Sequence, residues 1–194
     1  MKRQRDQATT VGAPPGKRVH DGDLNAYEVV VGDLLQEGAK ADVIAHQCNC
    51  VTLGGRGLYT ALVAKYPYCD VYSKRRDSPS RPRLGSLEIC EPEDETLPNI
   101  ACLYSQLGPG KPGQASKKYG IKASADTAAK RLDFFNMSLT ALAEAASARQ
   151  WKHIAFPYNI GCGLAGGNWA QYSAALETFA AKLPAARVCL YKKQ

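Results

Sequence analysis

The residues best suited to chemistry in this 194-residue sequence fall in two short stretches. One is His46-Gln47-Cys48-Asn49-Cys50 running into Gly54-Gly55-Arg56-Gly57, and the other is Ile160-Gly161-Cys162-Gly163-Leu164-Ala165-Gly166-Gly167. Glycines ahead of a helix let several backbone N–H groups converge, and the helix dipole favours negative charge, so a phosphate or diphosphate is the natural occupant. A Cβ at Gly163 or Gly166 is expected to obstruct that anion or to forbid a positive φ. Neither stretch is a Walker loop, because no Gly-Lys-Ser/Thr follows, and Gly-Gly-Arg-Gly lacks the spacing of a dinucleotide fingerprint. Tight strand-to-helix turns account for such glycines equally well. His46 carries the side chain whose ordinary pKa lies nearest neutrality, which makes it a candidate general acid or base. A satisfied structural histidine at a strand end is the competing reading. Asn49 can both donate and accept, which suits a hydroxyl-bearing ligand, and an αL turn position is its alternative.

The seven cysteines contain no C-x-x-C pair, and Cys48 and Cys50 are too closely spaced for a zinc knuckle. His20, His46 and His153 lie far apart in the chain, so no metal site is expected. With an odd number of thiols and no apolar leader after Met1, the cysteines read as reduced, and a cytoplasmic or nuclear setting is expected.

These loops must be positioned by regular elements. Tyr27–Asp33, Asp42–Gln47, Leu87–Cys90, Ile100–Gln106, His153–Pro157 and Arg187–Tyr191 read as strands from their β-branched or continuous apolar character. Leu58, Leu62, Val63 and Tyr66 recur at helical spacing before Pro67, and a short helix is predicted around Cys69–Arg76. A long helix is predicted over Asp126–Gln150, with Leu132, Phe135, Leu139, Leu142 and Ala146 on one face and Ser124 as N-cap. A further helix is predicted over Trp169–Lys182. Strands alternating with helices predict a mixed, mostly parallel sheet covered on both faces, with ligands beyond the carboxyl ends of its strands. Residues 107–121 form a long Gly/Pro-rich connection of the kind that borders sites, and Tyr119 is a candidate to close over a ligand.

A composition of 45% hydrophobic and 22% charged residues is that of an ordinary folded domain, and no window has the ~18 apolar residues of a membrane span. Residues 1–26, with two basic clusters and few apolar residues, read as a flexible tail, either a solubilising extension or an import address. The net charge of +7 favours polyanions. The basic run Lys74, Arg75, Arg76, Arg81, Arg83 and the acidic run that follows read as solvated surface rather than a specific nucleic-acid groove.

Val31-Gly32-Asp33-Leu34, Ile44-Ala45-His46-Gln47-Cys48-Asn49-Cys50 with Gly54-Gly55-Arg56-Gly57-Leu58, and Phe156-Pro157-Tyr158-Asn159 through Gly167-Asn168-Trp169 together resemble the macro domain family. The resemblance runs from about Tyr27 to Tyr191 and assigns residues 27–194 to one macro domain, a three-layer α/β/α sandwich whose cleft holds ADP-ribose. Within the family, the His-x-Cys-Asn and Gly-Cys-Gly-Leu-Ala-Gly-Gly-x-Trp forms resemble the branch of ADP-ribose 1''-phosphate phosphatases and small ADP-ribosyl hydrolases. It implies that Asp33, beside Leu34, takes the adenine amino group. It places Asn49, with Gln47 beside it, on the distal ribose. It implies that Ile160, Gly161, Cys162, Gly163, Leu164, Ala165 and Gly166 wrap the diphosphate and ribose, while Gly55, Gly57 and Leu58 approach from the other side and Tyr191 borders the ligand.

Two departures limit the carry-over. Ala165 stands where the glutamyl-ester hydrolases carry an aspartate, and Leu103-Tyr104-Ser105-Gln106 offers no catalytic lysine. The expected activity is hydrolysis at the terminal ribose with Asn49 and His46 as catalytic residues, and the alternative is a non-catalytic reader of free or protein-linked ADP-ribose. The expected partners are ADP-ribose or a derivative and mono-ADP-ribosylated proteins, with no cofactor, no membrane and a monomeric state.

Overall fold

A computed structural model describes residues 27–76 and 81–194. Six strands, β1 (Glu28–Val31), β2 (Val43–Asn49), β3 (Leu87–Cys90), β4 (Asn99–Gln106), β5 (His153–Pro157) and β6 (Arg187–Lys192), form one sheet in the order β1-β6-β5-β2-β4-β3. Every neighbouring pair is parallel except β3 with β4. The chain forms helices α1 (Leu58–Lys65), α2 (Ser116–Tyr119), α3 (Ala128–Ala148) and α4 (Trp169–Ala181).

The central strands read as continuous apolar runs because both faces of the sheet are covered. Val43 and Ala45 of β2 pack with Phe135, Leu139 and Leu142 of α3 and Leu176 and Phe179 of α4. Ile44 and Cys48, one residue out of phase, face Tyr59 and Leu62 of α1 together with Tyr66, Cys69 and Tyr72. The period of two along β2 therefore divides the molecule into two cores, and the expected three-layer α/β/α arrangement is the observed one. Full burial of each large apolar side chain in these layers stabilises the fold by about 1.5–3 kcal/mol.

Local details depart from the sequence reading. Thr127, not Ser124, caps α3, its hydroxyl accepting from the Lys130 N–H at 3.3 Å. Ser124 instead belongs to a separate 3-10 turn, Ala123–Ala125. The helix predicted at 69–76 is two 3-10 turns, Pro67–Cys69 and Ser73–Arg76. Leu132 is only partly buried at the margin of the α3 layer. In the basic run, Arg75 is not solvated surface: it is 6% exposed, stacks on Tyr72 and Tyr104, and donates to the Thr52 carbonyl at 3.1 Å. The tail expected at 1–26 lies outside the described residues. Among the described residues no helix is long and apolar enough to cross a membrane.

Candidate functional site

At the carboxyl ends of β2, β4 and β5 lies a cavity of about 1160 Å³, bordered by Asn49, Gln106 and Pro157 of those strands. That is large for a small-molecule site, for which about 300–1,000 Å³ is usual. Both glycine loops contribute to its wall, as do residues of the 107–121 connection, Tyr119 among them. Arg56, Lys111 and Lys118 reach it, and among the described residues no carboxylate does. Such a wall favours an anionic occupant over a cationic one.

The second glycine loop follows β5 and is folded by its own backbone. Gly167 N–H donates to the Gly161 carbonyl at 2.9 Å, and Gly166 N–H to that of Gly163 at 3.1 Å. Gly161 adopts φ +74°, and a Cβ there would come within 2.3 Å of the Tyr172 ring and 2.6 Å of Gln47 Oε1. Gly163 behaves otherwise. It has no positive φ and an added Cβ would meet no other protein atom, so the expectation that a positive φ demands glycine here is corrected, while the position still borders the cavity. Leu164, 70% exposed, offers an apolar surface at the rim.

Gln47 points toward Gly161 from β2. Its Nε2 donates to Gln106 Oε1 at 2.6 Å, while its own Oε1 is buried and has no partner. An unpaired buried acceptor costs about 1–3 kcal/mol, and beside the cavity it is placed to accept from a ligand hydroxyl.

Asn49, 5% exposed, organises the first loop rather than projecting freely. Its Oδ1 accepts from the N–H groups of Val51 and Thr52 and from the Thr52 hydroxyl, at 3.1, 2.9 and 2.9 Å. Its backbone N–H and Nδ2 both donate to the Tyr72 hydroxyl, at 2.8 and 3.0 Å. Further along the loop, Gly55 lies so close to Tyr59 and Tyr72 that a Cβ would approach their rings to 2.1 and 2.8 Å. Gly57 turns the chain into α1 at φ +64°.

His46 borders the cavity but is only 2% exposed, and it sits within β2 on the α1 side of the sheet. Its Nε2 lies 3.6 Å from Cys48 Sγ and 3.4 Å from Cys102 Sγ. Burial, the largest influence, would lower its pKa, but the adjacent Cys48 sulfur, with Cys90 and the Gln47 backbone, outweighs burial and raises it. Burial likewise opposes ionisation of Cys48, yet hydrogen bonds from Cys102, His46 and the Tyr72 hydroxyl, with the imidazole charge, hold its thiol well below the usual range. At Cys50, Cys69 and Cys189 burial prevails, pushing the first two up to about 12 and the third to about 11. All seven cysteines are free thiols. The donor atoms of His46, Cys48 and Cys102 lie within 4.8 Å of one another, so chain spacing misjudged the absence of a metal-ligand cluster: the third donor comes from β4.

The fold thus brings His46, Gln47, Asn49, Gly55, Gly57 and Leu58 to one cavity with Ile160, Gly161, Gly163, Leu164 and Ala165. Five expected ligand residues stand outside its wall. Leu34 and Tyr191 are buried in the core of the α1 layer, with Tyr191 OH 3.3 Å from His153 Nε2. Cys162 is directed toward the Ile160 carbonyl, and Gly166 at φ +68° lies under the Lys111 side chain. Asp33 sits in the turn after β1, accepting from the Leu35 N–H at 2.9 Å and from Lys193 Nζ at 3.1 Å. Its carboxyl is held below the usual range by the Leu35 N–H first and by Lys193 next.

Sequence reading missed the support beneath the loops. Arg131 of α3 pairs with Asp126, both side chains almost completely buried, and Nη1 of the same guanidinium donates to the Gly110 carbonyl at 2.6 Å and the Ala165 carbonyl at 3.1 Å. The five-residue separation of Asp126 and Arg131 matches no helical pairing pattern, so only the buried position of Arg131 on an otherwise apolar face could have revealed it.

No protein-family model matches the sequence, and no curated protein matches it. Solved structures do. The macrodomain of Mycobacterium tuberculosis DarG superposes with a TM-score of 0.64 at 19% identity, covering 87% of this chain and 99% of that one. A macrodomain protein from Streptomyces coelicolor gives 0.60 at 21% identity over 84% and 97% of the two chains. Thermosipho africanus DarTG in complex with ADP-ribose gives 0.61 at 18% identity, over 92% of this chain and 43% of that chain. The fold of this protein is therefore that of the macrodomains.

Proposed function

We propose that this protein binds ADP-ribose, free or attached to protein, in the cavity at the carboxyl ends of β2, β4 and β5. The observation that carries this reading is the pairing of the Gly161–Gly167 turn with a wall that holds Arg56, Lys111 and Lys118 and no described carboxylate. Such a site suits a diphosphate, and the unpaired Gln47 Oε1 and the exposed Leu164 give a ribose an acceptor and an apolar contact. Its likeness in fold to the DarTG structure that holds ADP-ribose points the same way. Asp33, outside the cavity wall, would take the adenine amino group at the far end of an extended ligand.

Hydrolysis of ADP-ribose 1''-phosphate in the same cavity is the second reading, and the presence of His46 in the wall favours it. Binding without turnover ranks first because His46 is enclosed between two sulfurs and no described carboxylate is at hand to move a proton. Calorimetric titration with ADP-ribose tests the first reading: one saturable site is expected, and heat no greater than that from ribose 5-phosphate refutes it. Phosphate release from ADP-ribose 1''-phosphate decides the second, with none expected.

A further inference from the structure

The cluster behind the cavity floor is assembled by sheet register. His46 and Cys48 are two residues apart on β2 and so share one face of the strand, and His46 pairs directly with Cys102 across the parallel β2–β4 ladder. All three side chains enter the α1 layer between the strands and the tyrosines. A tetrahedral site with metal–nitrogen bonds of about 2.1 Å and metal–sulfur bonds of about 2.3 Å places its donor atoms about 3.5–3.8 Å apart. The distances from His46 Nε2 to Cys48 Sγ and Cys102 Sγ are 3.6 and 3.4 Å, and Cys48 Sγ also lies 3.7 Å from Nδ1, so a turn of the imidazole would be needed to aim Nε2 between the two sulfurs. Two thiolates and a neutral imidazole would cancel the charge of a divalent ion, which an almost fully enclosed site requires.

We propose that His46, Cys48 and Cys102 bind one thiophilic divalent cation, zinc being the ion that fits. The ion would tie β2 to β4 beneath the ligand cavity and would engage His46 Nε2 as a ligand. The site is independent of what the cavity binds, because its ligands lie on strands that frame the floor rather than on the glycine loops.

The test uses the full chain, produced without an affinity tag in zinc-supplemented medium and freed of loose metal on a chelating resin. Elemental analysis is expected to find one zinc per chain. Protein produced with cobalt instead is expected to show sulfur-to-cobalt charge-transfer absorption and the intense visible bands of tetrahedral cobalt. Wild-type protein with substoichiometric zinc, or a cobalt spectrum without thiolate bands, overturns the proposal without recourse to any variant. Cys48→Ser and Cys102→Ser are each expected to lower metal content, whereas Cys50→Ser and Cys69→Ser, buried in the same layer, retain one ion. Loss in Cys50→Ser or Cys69→Ser as large as in Cys102→Ser would overturn the site.

Discussion

Arg131 and Asp126 form a two-pronged ion pair, Nε to Oδ1 at 2.8 Å and Nη2 to Oδ2 at 2.6 Å, with side chains 2% and 1% exposed. The remaining donors of the guanidinium go to the carbonyls of Gly108, Gly110 and Ala165, so one side chain fastens the 107–121 connection to the second glycine loop. Asp126 Oδ1 in turn receives the Leu107 N–H at 3.4 Å. Removal of Arg131 would leave a buried carboxylate and three carbonyls without their donor. Arg131→Ala is therefore expected to destabilise the fold by about 3–5 kcal/mol in urea unfolding and to weaken ADP-ribose binding in calorimetry. An unchanged urea midpoint would show that the pair supports neither loop.

The two glycines at the centre of the second loop are expected to respond differently to substitution. Gly161→Val introduces a branched side chain at φ +74° against Tyr172 and Gln47, and ADP-ribose binding should disappear. Gly163→Val places its side chain in open space on ordinary backbone, so its melting temperature should stay near that of the parent. Comparison of both variants by thermal unfolding and calorimetry checks this, and equal behaviour would contradict the loop geometry.

Adenine selectivity is expected to depend on Asp33. Its exposed pairing with Lys193 is cheap to rearrange, since surface ion pairs contribute about 0–1 kcal/mol. Loss of a charge-assisted hydrogen bond to the base should cost about 1.5–3 kcal/mol. Asp33→Ala should bind ADP-ribose correspondingly less well while leaving affinity for ribose 5-phosphate unaltered. Equal affinity of parent and variant for ADP-ribose would confine the ligand to the cavity wall.

His153 gives the fold a pH dependence of defined sign. Burial first, and the Arg187 charge next, hold its pKa below the usual 6.5 despite opposing contributions from Asp42 and Glu28. With the folded pKa below the unfolded one, the unfolded chain takes up the proton first, so this contribution is complete above about pH 6.5 and is lost as pH falls below it. In His153→Gln the fall in unfolding free energy between about pH 7 and pH 5 should be shallower than in the parent. Parallel pH profiles for the two proteins would exclude the histidine as their source.

The sequence by itself determined the strands, the principal helices and the two glycine loops. Apolar runs such as Val43–Asn49 and the turn glycines ahead of Leu58 and of Trp169 are local signals, set by side-chain periodicity and backbone freedom. It also indicated that residues 107–121 border a site, because a long Gly/Pro-rich connection has no packing reason to exist. Tertiary structure alone decided which residues meet. Cap choice at α3 turned on whether Thr127 or Ser124 stood at the first helical turn, which a one-turn shift conceals. Asn49 reads as a ligand residue in the chain, and the approach of Tyr72 and Thr52 gives it a second part, as the brace of its own loop at the cavity wall. The burial of Arg75 and Arg131 depends on partners that the local sequence does not mark: the Tyr104 ring for one, the Gly110 and Ala165 carbonyls for the other. The meeting of His46 with Cys102 across 56 residues is a consequence of strand order and register, and these are fixed by how two cores close on opposite faces of one sheet.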